Sequence, residues 1–350
     1  DMEQATQKAK DLVEMSVAKV TLHEPLEEPV MRINQAVLVI GGGVAGMTAA
    51  RNLARQGYTT YLVEKDDKLG GQARYLKETW RGEKIDHFVQ TLIEQVQRDA
   101  NINVLLNAHI QNVDGFVGNF KTTVQAEGET VLEHGVTIIA CGAEEFKPDD
   151  YLYGVDSRVM TGLELQDKLK ADHDFDASRT AVFVQCVGSR ISERPYCSKV
   201  CCTQSIKSAL DLRSMHPELD IFILYRDLRS YGLREDLYRE ARDRGIKFIR
   251  YNNEHGLTVR TAENGLEINF TDRVLRRPMV IRSDLLILAS AIVAQKDNPL
   301  AQLHKVSQND DGFFAEAHVK LRPNDFATDG VFVCGLAHAP KPIDESISQA

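Results

Sequence analysis

Three observations in the 350-residue sequence predict an α/β chain built on two strand–helix alternations. The apolar run AVLVI (36 to 40) passes at once into GGGVAGMTAARNLARQG and then TTYLVEK, which reads as strand, glycine turn, helix, strand. A second strand-then-helix unit opens at TAVFVQCVG (180 to 188). Most of the strands are apolar without alternation, as parallel strands covered on both faces are. The prediction is two nucleotide-binding (Rossmann-like) domains, the second inserted into the first, with an N-terminal helix.

The elements follow in order. Residues 4 to 20 place Ala5, Ala9, Leu12, Val13 and Val17 at helical spacing, an amphipathic leading helix. TLHEPLEEPVMRINQ, with two prolines and a run of acids, is a linker. After the first βαβ unit, residues 83 to 99 read as helix, VLLNAHI and FKTTVQ as short strands, and VTIIACGA (136 to 143) as a buried strand. The second alternation continues with helix 203 to 215, strand 221 to 225, helix 234 to 244 and strand 247 to 251. GLEINF and MVIRSDLLILASA add strands, and GVFVCG (330 to 335) runs into a closing helix. The predicted boundaries are 1–34 for helix and linker, 35–150 with 284–350 for the first domain, and 151–283 for the inserted one.

Composition narrows the function. Forty-two basic against 51 acidic residues leave a net charge of −9, with no basic footprint for a phosphate backbone, so no nucleic-acid partner is expected. The longest apolar run, Leu285 to Ala294, is about ten residues, short of the ~20 that span a bilayer. The opening DMEQATQKAK has no apolar core, so no signal peptide is expected and a cytoplasmic location is predicted.

Gly41, Gly43 and Gly46 form G-x-G-x-x-G between strand and helix. Such glycines allow a tight turn and let backbone N–H groups approach a pyrophosphate at the helix's positive end. Glu64 ends the next strand, where a carboxylate can accept ribose hydroxyls and repel a 2′-phosphate. Glycines serving only a tight turn are the plainer alternative.

Four of the six cysteines gather as Cys186-x10-Cys197-x3-Cys201-Cys202, leaving Cys141 and Cys334 alone. Four thiolates suit a [4Fe–4S] cluster, and all four could converge where the strand ends and the helix begins. A structural zinc site, a redox disulfide and plain buried cysteines are the alternatives, although zinc sites favour C-x2-C pairs and thioredoxin-like chemistry uses C-x-x-C. Only Gly188 remains where a second glycine fingerprint would stand, which argues against a nicotinamide site there.

These features carry a resemblance. Glu64 followed by KDDKLGGQ, with Gly70 and Gly71, resembles the FAD-binding domain of the two-dinucleotide-domain flavoproteins, the thioredoxin reductase and glutathione reductase superfamily. VTIIACGA resembles that superfamily's second flavin-side strand, with Cys141 in the threonine place of its Ala-Thr-Gly turn. TDGVFVCGL resembles the late strand ending in Gly-Asp, except that Leu336 replaces the ribityl-binding Asp. The helix after Ile343 would aim its positive end at the flavin. FAD is then implied at Gly41, Gly43, Val44, Ala45, Gly46, Glu64, Lys65, Gly70, Gly71, Gln72, Ile110, Ala140, Cys141, Gly142, Gly335, Pro342 and Ile343.

CVGSR…YCSKVCCTQSIK, the leading KAKDLVEMSVAKV…EPLEEP and the closing CGLAHAPKPIDESISQA together resemble the A subunits of heterodisulfide reductases. That family comprises FAD- and iron–sulfur-containing subunits of anaerobic electron-transfer complexes, and the resemblance spans essentially the whole chain. Full-length members carry further cysteine-rich regions, so a fragment or a shortened relative is expected. The resemblance assigns Cys186, Cys197, Cys201 and Cys202 to a [4Fe–4S] cluster near the flavin, and Lys207 to the flavin N5 side. It implies an electron-transfer oxidoreductase, partnered by other subunits and by ferredoxin or a hydrogenase- or dehydrogenase-type donor, with electron bifurcation as its finest implication. An NAD(P)H-dependent disulfide reductase and a non-catalytic electron-relay scaffold are the competing readings.

Weaker candidates remain. His87 and His109 read as surface residues, and Trp80 and Tyr75 as packing residues that could line a flavin. Arg226, Arg229 and Arg234 sit where nucleotide phosphates bind in NADPH-using relatives, or form a solvated face or a contact with another chain.

Overall fold

The computed structural model describes residues 1–26, 30–171, 175, 178–251 and 256–350. Residues 1–33 and 34–350 form two compact units. In the first, Met2–Thr21 is a helix whose N-cap, Asp1, accepts the Glu3 N–H, and none of its residues is buried. The acidic end of the linker, 27–29, lies outside the described residues.

In the second unit, Val37–Ile40, Thr60–Val63, Ile102–Leu105, Val136–Ile139 and Val331–Val333 form a parallel sheet. Its spatial order places the last strand at one edge, beside Val136–Ile139, and Val37–Ile40 at the centre. The central strand is buried throughout because both faces are covered. On one side Val37 and Val39 pack with Met47, Leu92 and Val96 of the helices Val44–Arg55 and Ile85–Arg98. On the other, Leu38 and Ile40 pack with Phe120, Val124 and Leu132 of an antiparallel sheet, His109–Asp114, Phe120–Gln125 and Glu129–His134.

The same three-layer plan recurs. Val159–Thr161, Thr180–Val187, Asp220–Tyr225, Lys247–Arg250 and Leu285–Ser290 form a second parallel sheet centred on Thr180–Val187 and its neighbours. The helices Gly162–Lys170, Cys201–Met215 and Glu235–Asp243 cover one face through Leu165, Ile206, Leu212 and Ala241. The antiparallel sheet Thr258–Ala262, Gly265–Asp272 and Arg277–Ser283 covers the other. All strands of this second sheet fall, in chain order, between the fourth and fifth strands of the first.

One boundary needs correction. Leu285–Ser290, expected in the returning segment of the first domain, pairs with Thr180–Val187 and Val159–Thr161 and so belongs to the second sheet. An apolar run of that length fits either sheet; only pairing decides. The chain crosses between domains at Glu144–Glu145 and Ile292–Val293, which pair antiparallel into a short ribbon. The helix Gly162–Lys170 was not foreseen, yet Thr161 and Glu164 form a complete capping box at its start, a signal readable in the sequence. Among the described residues no helix is long and apolar enough to cross a membrane.

Candidate functional site

A cavity of about 470 Å³ opens at the carboxyl ends of the first sheet's strands, where that sheet faces the helix Cys201–Met215 of the second. Crevices at strand carboxyl ends are where open α/β sheets bind ligands. Of the seventeen residues implied for FAD, all but Gly46 and Ile110 line it. Gly46 acts from behind: a Cβ there would stand 1.9 Å from the Gly41 carbonyl oxygen, so helix and turn can pack only without a side chain. Gly41 has φ +113, and a Cβ on it would meet the Ala140 carbonyl oxygen at 2.3 Å. Gly43 differs. Nothing lies within 4 Å of its would-be Cβ, so its bare backbone is what faces the cavity, at the N-cap of Val44–Arg55. Ile110 lies outside the cavity lining: it is half-buried and packs on the core with Phe120 and Val124.

Glu64 is buried at the cavity wall, one carboxylate oxygen accepting the Gly42 N–H at 2.6 Å and the other the Asp66 N–H at 2.9 Å. It therefore braces the glycine turn while keeping lone pairs for a ligand hydroxyl. Gly70 and Gly71 close the same wall, Gly70 pairing with Gly43 across an isolated bridge. Gln72 donates to the Ala143 carbonyl at 2.7 Å, tying this wall to the turn after Val136–Ile139. Burial pushes the Cys141 thiol up to about 11 and the Cys334 thiol up to about 12, so both stay protonated at neutral pH.

Of the four clustered cysteines, Cys201 reaches this cavity from the second sheet's side. Between Val184 and Val187 the register against Leu285–Ser290 shifts, a bulge that turns Cys186 out of the ladder at φ +63. A non-glycine residue held there stores strain of about 1–3 kcal/mol. Arg226 over-determines the loop, donating to the carbonyls of Ser189 (2.6 Å), Arg190 (2.8 Å) and Cys186 (3.2 Å). Cys201 and Cys202 open the helix Cys201–Met215 and are buried, and Cys201 lines the cavity. Cys197 is half-buried, its sulfur accepting the Lys199 N–H at 3.4 Å.

Electrostatics tie the four sulfurs together. The Cys201 thiol donates to Cys202, which pushes Cys201 well up; burial and the nearby Cys186 and Cys197 sulfurs add to this. The same bond brings Cys202 down to about 7, helped by the Arg229 backbone and Arg190. Burial raises the Cys186 thiol against the pull of Arg226 and Arg190. The expected convergence on one point is not present: among the described residues no three His, Cys, Asp or Glu side chains stand as a metal-holding group. The sulfurs of Cys186, Cys197 and Cys202 all act on Cys201, so the four share one neighbourhood, with Cys197 half-buried.

Lys207 lines the cavity two turns into that helix, but its ammonium is engaged by Glu78 at 3.1 Å and by Asp211. Burial opposes its charge, and the two carboxylates outweigh this and raise its pKa. It is thus a half-buried ion-pair lysine in the cavity wall. Trp80 and Tyr75 both border the cavity. His87 and His109 are exposed.

The arginines divide. Arg226 holds the cysteine loop, and Arg229 pairs with Asp227 at 3.5 Å on the surface. Arg234 is buried against Tyr231 and Trp80 and grips Asp344 at 2.9 Å, joining the second domain to the closing helix Ile343–Gln349. Gly188 forms no phosphate turn; a Cβ there would meet the Phe146 ring at 2.2 Å, a ring that Arg194 covers from 4.3 Å.

Sequence reasoning missed two groups. Gln295 donates to the Cys141 carbonyl at 2.9 Å and Asn298 to its sulfur at 3.4 Å, both from a polar loop with no motif to mark it. Lys341, adjoining the expected Pro342, is buried and lines the cavity beside Gly335.

Comparison with known proteins agrees with this architecture. A family model described as pyridine nucleotide-disulphide oxidoreductase matches residues 35–183. The T. acidophilum thioredoxin reductase crystal structure shares the fold, with a TM-score of 0.61 at 14% identity over 90% of this chain and 95% of that one. The A subunit of the H(2):CoB-CoM heterodisulfide,ferredoxin reductase of Methanothermobacter thermautotrophicus is 30% identical, covering 100% of this chain and 67% of its own length. That alignment runs over 451 positions against 350 residues here, so the relative carries sequence that this chain lacks. The second of two iron-sulfur A subunits of the CoB--CoM heterodisulfide reductase of Methanopyrus kandleri is also 30% identical, covering 100% of this chain and 68% of its own. With that identity sustained from end to end, the chain belongs to the family of heterodisulfide reductase A subunits, which are oxidoreductases.

Proposed function

We propose that this chain is a cytoplasmic FAD- and [4Fe–4S]-dependent electron-transfer subunit, with FAD in the 470 Å³ cavity and Cys186, Cys197, Cys201 and Cys202 holding the cluster. One observation carries the reading: Cys201 lines the same cavity as Gly43 and Glu64. Electrons could therefore pass between a dinucleotide and a sulfur-bound relay with no further carrier.

The residues fit both groups chemically. The open face of Gly43 and the helix N-terminus behind it accept a pyrophosphate, and Glu64 accepts ribose hydroxyls. Four free thiols within one loop and helix start form the donor set of a cluster, and Arg190 and Arg226 offset their thiolate charge. Three of these thiols, Cys186, Cys201 and Cys202, are buried and Cys197 is half-buried. When bound, the flavin exchanges electrons in pairs and the cluster singly. The chain's own part is to hold the two side by side, keep water from the buried sulfurs, and set the charge around them.

The partners in this reading are the other subunits of a heterodisulfide reductase-like complex and ferredoxin, which the Methanothermobacter relative's name prints. Division of an electron pair between a disulfide acceptor and ferredoxin is its finer form. The Phe146 ring packed where a second glycine turn would lie weighs against the NAD(P)H-dependent alternative.

Anaerobic purification followed by iron, sulfide and flavin analysis tests the proposal. About four irons with matching sulfide and one FAD per chain support it. A single zinc, or flavin without iron, sinks it. Cys201→Ser should remove the cluster's absorbance and leave FAD bound.

A further inference from the structure

Lys341 presents an unusual situation: a buried ammonium in the cavity wall with no carboxylate paired to it among the described residues. Its Nζ donates to the Gly335 carbonyl at 2.6 Å and faces His338 Nδ1 at 3.4 Å. An ammonium has three N–H groups, so one remains for whatever enters the cavity.

The surroundings of His338 fix its protonation pattern. Gln349 accepts the Gly335 N–H through Oε1 at 3.0 Å, which places its amide nitrogen toward His338 Nδ1 at 2.9 Å. Nδ1 thus receives two donors, Gln349 and Lys341, and carries no hydrogen itself. The ring proton sits on Nε2, donated to Glu316 at 2.8 Å. The His338 imidazole stands between Lys341 and the Glu316 carboxylate. The relay Glu316–His338–Lys341 runs from a partly exposed carboxylate to the cavity.

An uncompensated buried cation is costly, and the cavity's ligand is the natural place for its counter-charge. Leu336 adds to this, because the resemblance places a polar ligand-binding residue where this chain has an apolar one. We propose that Lys341 is the cavity's switchable cation, which engages an anionic oxygen of the bound dinucleotide and takes up one proton from solvent as it does so. This rests on the FAD reading above and deepens it.

The electrostatics agree. Burial, with the Lys199 charge adding to it and Cys334, Glu345 and Glu316 pulling the other way, lowers the Lys341 pKa to about 8. His338 faces it from the third side. An anion brought within contact raises an ammonium's pKa, by roughly 1–3 units. The sign follows. Below pH 8 the free protein already carries the proton and binding takes up little. Between about 8 and the raised value, free Lys341 is mostly amine and bound Lys341 mostly ammonium, so binding takes up from about half a proton for a 1-unit shift to nearly one for a 3-unit shift.

Two sources of the anionic oxygen are open, the pyrophosphate or the flavin ring after reduction, and the test separates them. Calorimetric titration of FAD into the flavin-stripped, anaerobically purified chain at pH about 8.5, in buffers of different ionisation enthalpy, counts protons directly. Uptake of about half to three quarters of a proton with oxidised FAD supports the proposal and assigns the pyrophosphate. Uptake that appears only with reduced FAD supports it and assigns the ring. In either case Lys341→Arg should bind with no uptake, and Lys341→Met should bind roughly 10- to 100-fold more weakly at pH 7 with no uptake. Glu316→Gln should move the uptake window to lower pH. Acetylation of Lys341 against pH, read by mass spectrometry on the unmutated chain, should show a midpoint near 8 and protection by FAD, whatever the variants' folding. FAD binding with no uptake in either oxidation state, or with the same uptake in Lys341→Met, overturns the inference and leaves the FAD reading standing. No FAD binding at all overturns both.

Discussion

Glu64 and Gly42 are joined by a 2.6 Å hydrogen bond that runs from the end of one parallel strand into the glycine turn following its neighbour. The other oxygen of the same buried carboxylate takes the Asp66 N–H at 2.9 Å. The acid that would read a ribose thus also shapes the turn that would hold the phosphates. Glu64→Gln sets an amide N–H₂ against one of these backbone donors and leaves it unsatisfied, at a cost of about 1–3 kcal/mol. Chemical denaturation of the ligand-free protein should show that loss, and flavin titration should show affinity down at least about tenfold. Unchanged stability with weakened binding would mean that Glu64 serves the ligand alone.

Gly43 and Gly46 stand three residues apart and should respond in opposite ways. Gly43 has φ −74 and open space where a methyl would go, so Gly43→Ala should fold normally and bind FAD poorly, its methyl occupying the phosphate approach. Gly46→Ala would force a carbon to 1.9 Å from the Gly41 oxygen, and should lower the unfolding midpoint or abolish soluble expression. Circular dichroism melts beside flavin content check the pair. Equal destabilisation by both would remove the distinction between a ligand-facing and a packing glycine.

Local patterns foretold the elements with a local cause. The glycine turn, the continuous apolar strands and the helical periodicity of Ile85–Arg98 each follow from residues within one element, and each lies where the pattern put it. Pairing partners do not follow that way. Leu285–Ser290 reads as a buried strand for either sheet, and its attachment to the second depends on contacts with Thr180–Val187 a hundred residues away. The site shows the same division. Most of the expected cofactor residues line one cavity because they sit at strand ends, whose direction the fold class dictates. The partners of Lys207, the grip of Arg226 on the cysteine loop and the relay behind Lys341 are long-range side-chain choices with no periodic trace.

Lys207 offers a way to separate structure from cofactor tuning. It is held between Glu78 and Asp211, with only 12% of its side chain exposed. Lys207→Met would strand two carboxylates in the wall and should cost about 3 kcal/mol in the flavin-free protein. The companion change Asp211→Asn should recover part of that loss. If the lysine also acts on the flavin, the double variant will keep a shifted flavin absorbance or midpoint potential after stability has been restored. Restoration of both together would confine Lys207 to the ion pair.

Trp80 is the only tryptophan in the chain and borders the cavity, beneath the Arg81 and Arg234 guanidinium groups at 4.7 and 5.6 Å. FAD binding should quench its emission in proportion to occupancy. Trp80→Phe should erase that signal, and calorimetric affinity should change by less than about threefold, since a cavity-bordering ring of similar shape remains. Unquenched emission at saturating FAD would place the ligand elsewhere.

Acid stability should be governed in part by two buried histidines on the first sheet's far face. His134 donates Nδ1–H to the Val136 carbonyl at 3.0 Å and accepts the Thr122 hydroxyl at Nε2, 2.8 Å, so its ring is held neutral. His304 is 3% exposed and neither ring nitrogen has a hydrogen-bond partner among the described residues. Burial lowers both to about 4, at His304 with the nearby His134 contributing to that value. In the unfolded chain both return to about 6.5. Between pH 6.5 and 4 the unfolded state therefore binds protons that the native state refuses, and stability falls with acid by about 3 kcal/mol per histidine before levelling off. His304→Leu removes one of the two and discards an unsatisfied polar ring, so it should raise stability at pH 7 and flatten the decline between pH 6.5 and 4. Denaturation midpoints across that range read both effects, and an unaltered acid slope in His304→Leu would show that the ring is protonated in the native state after all.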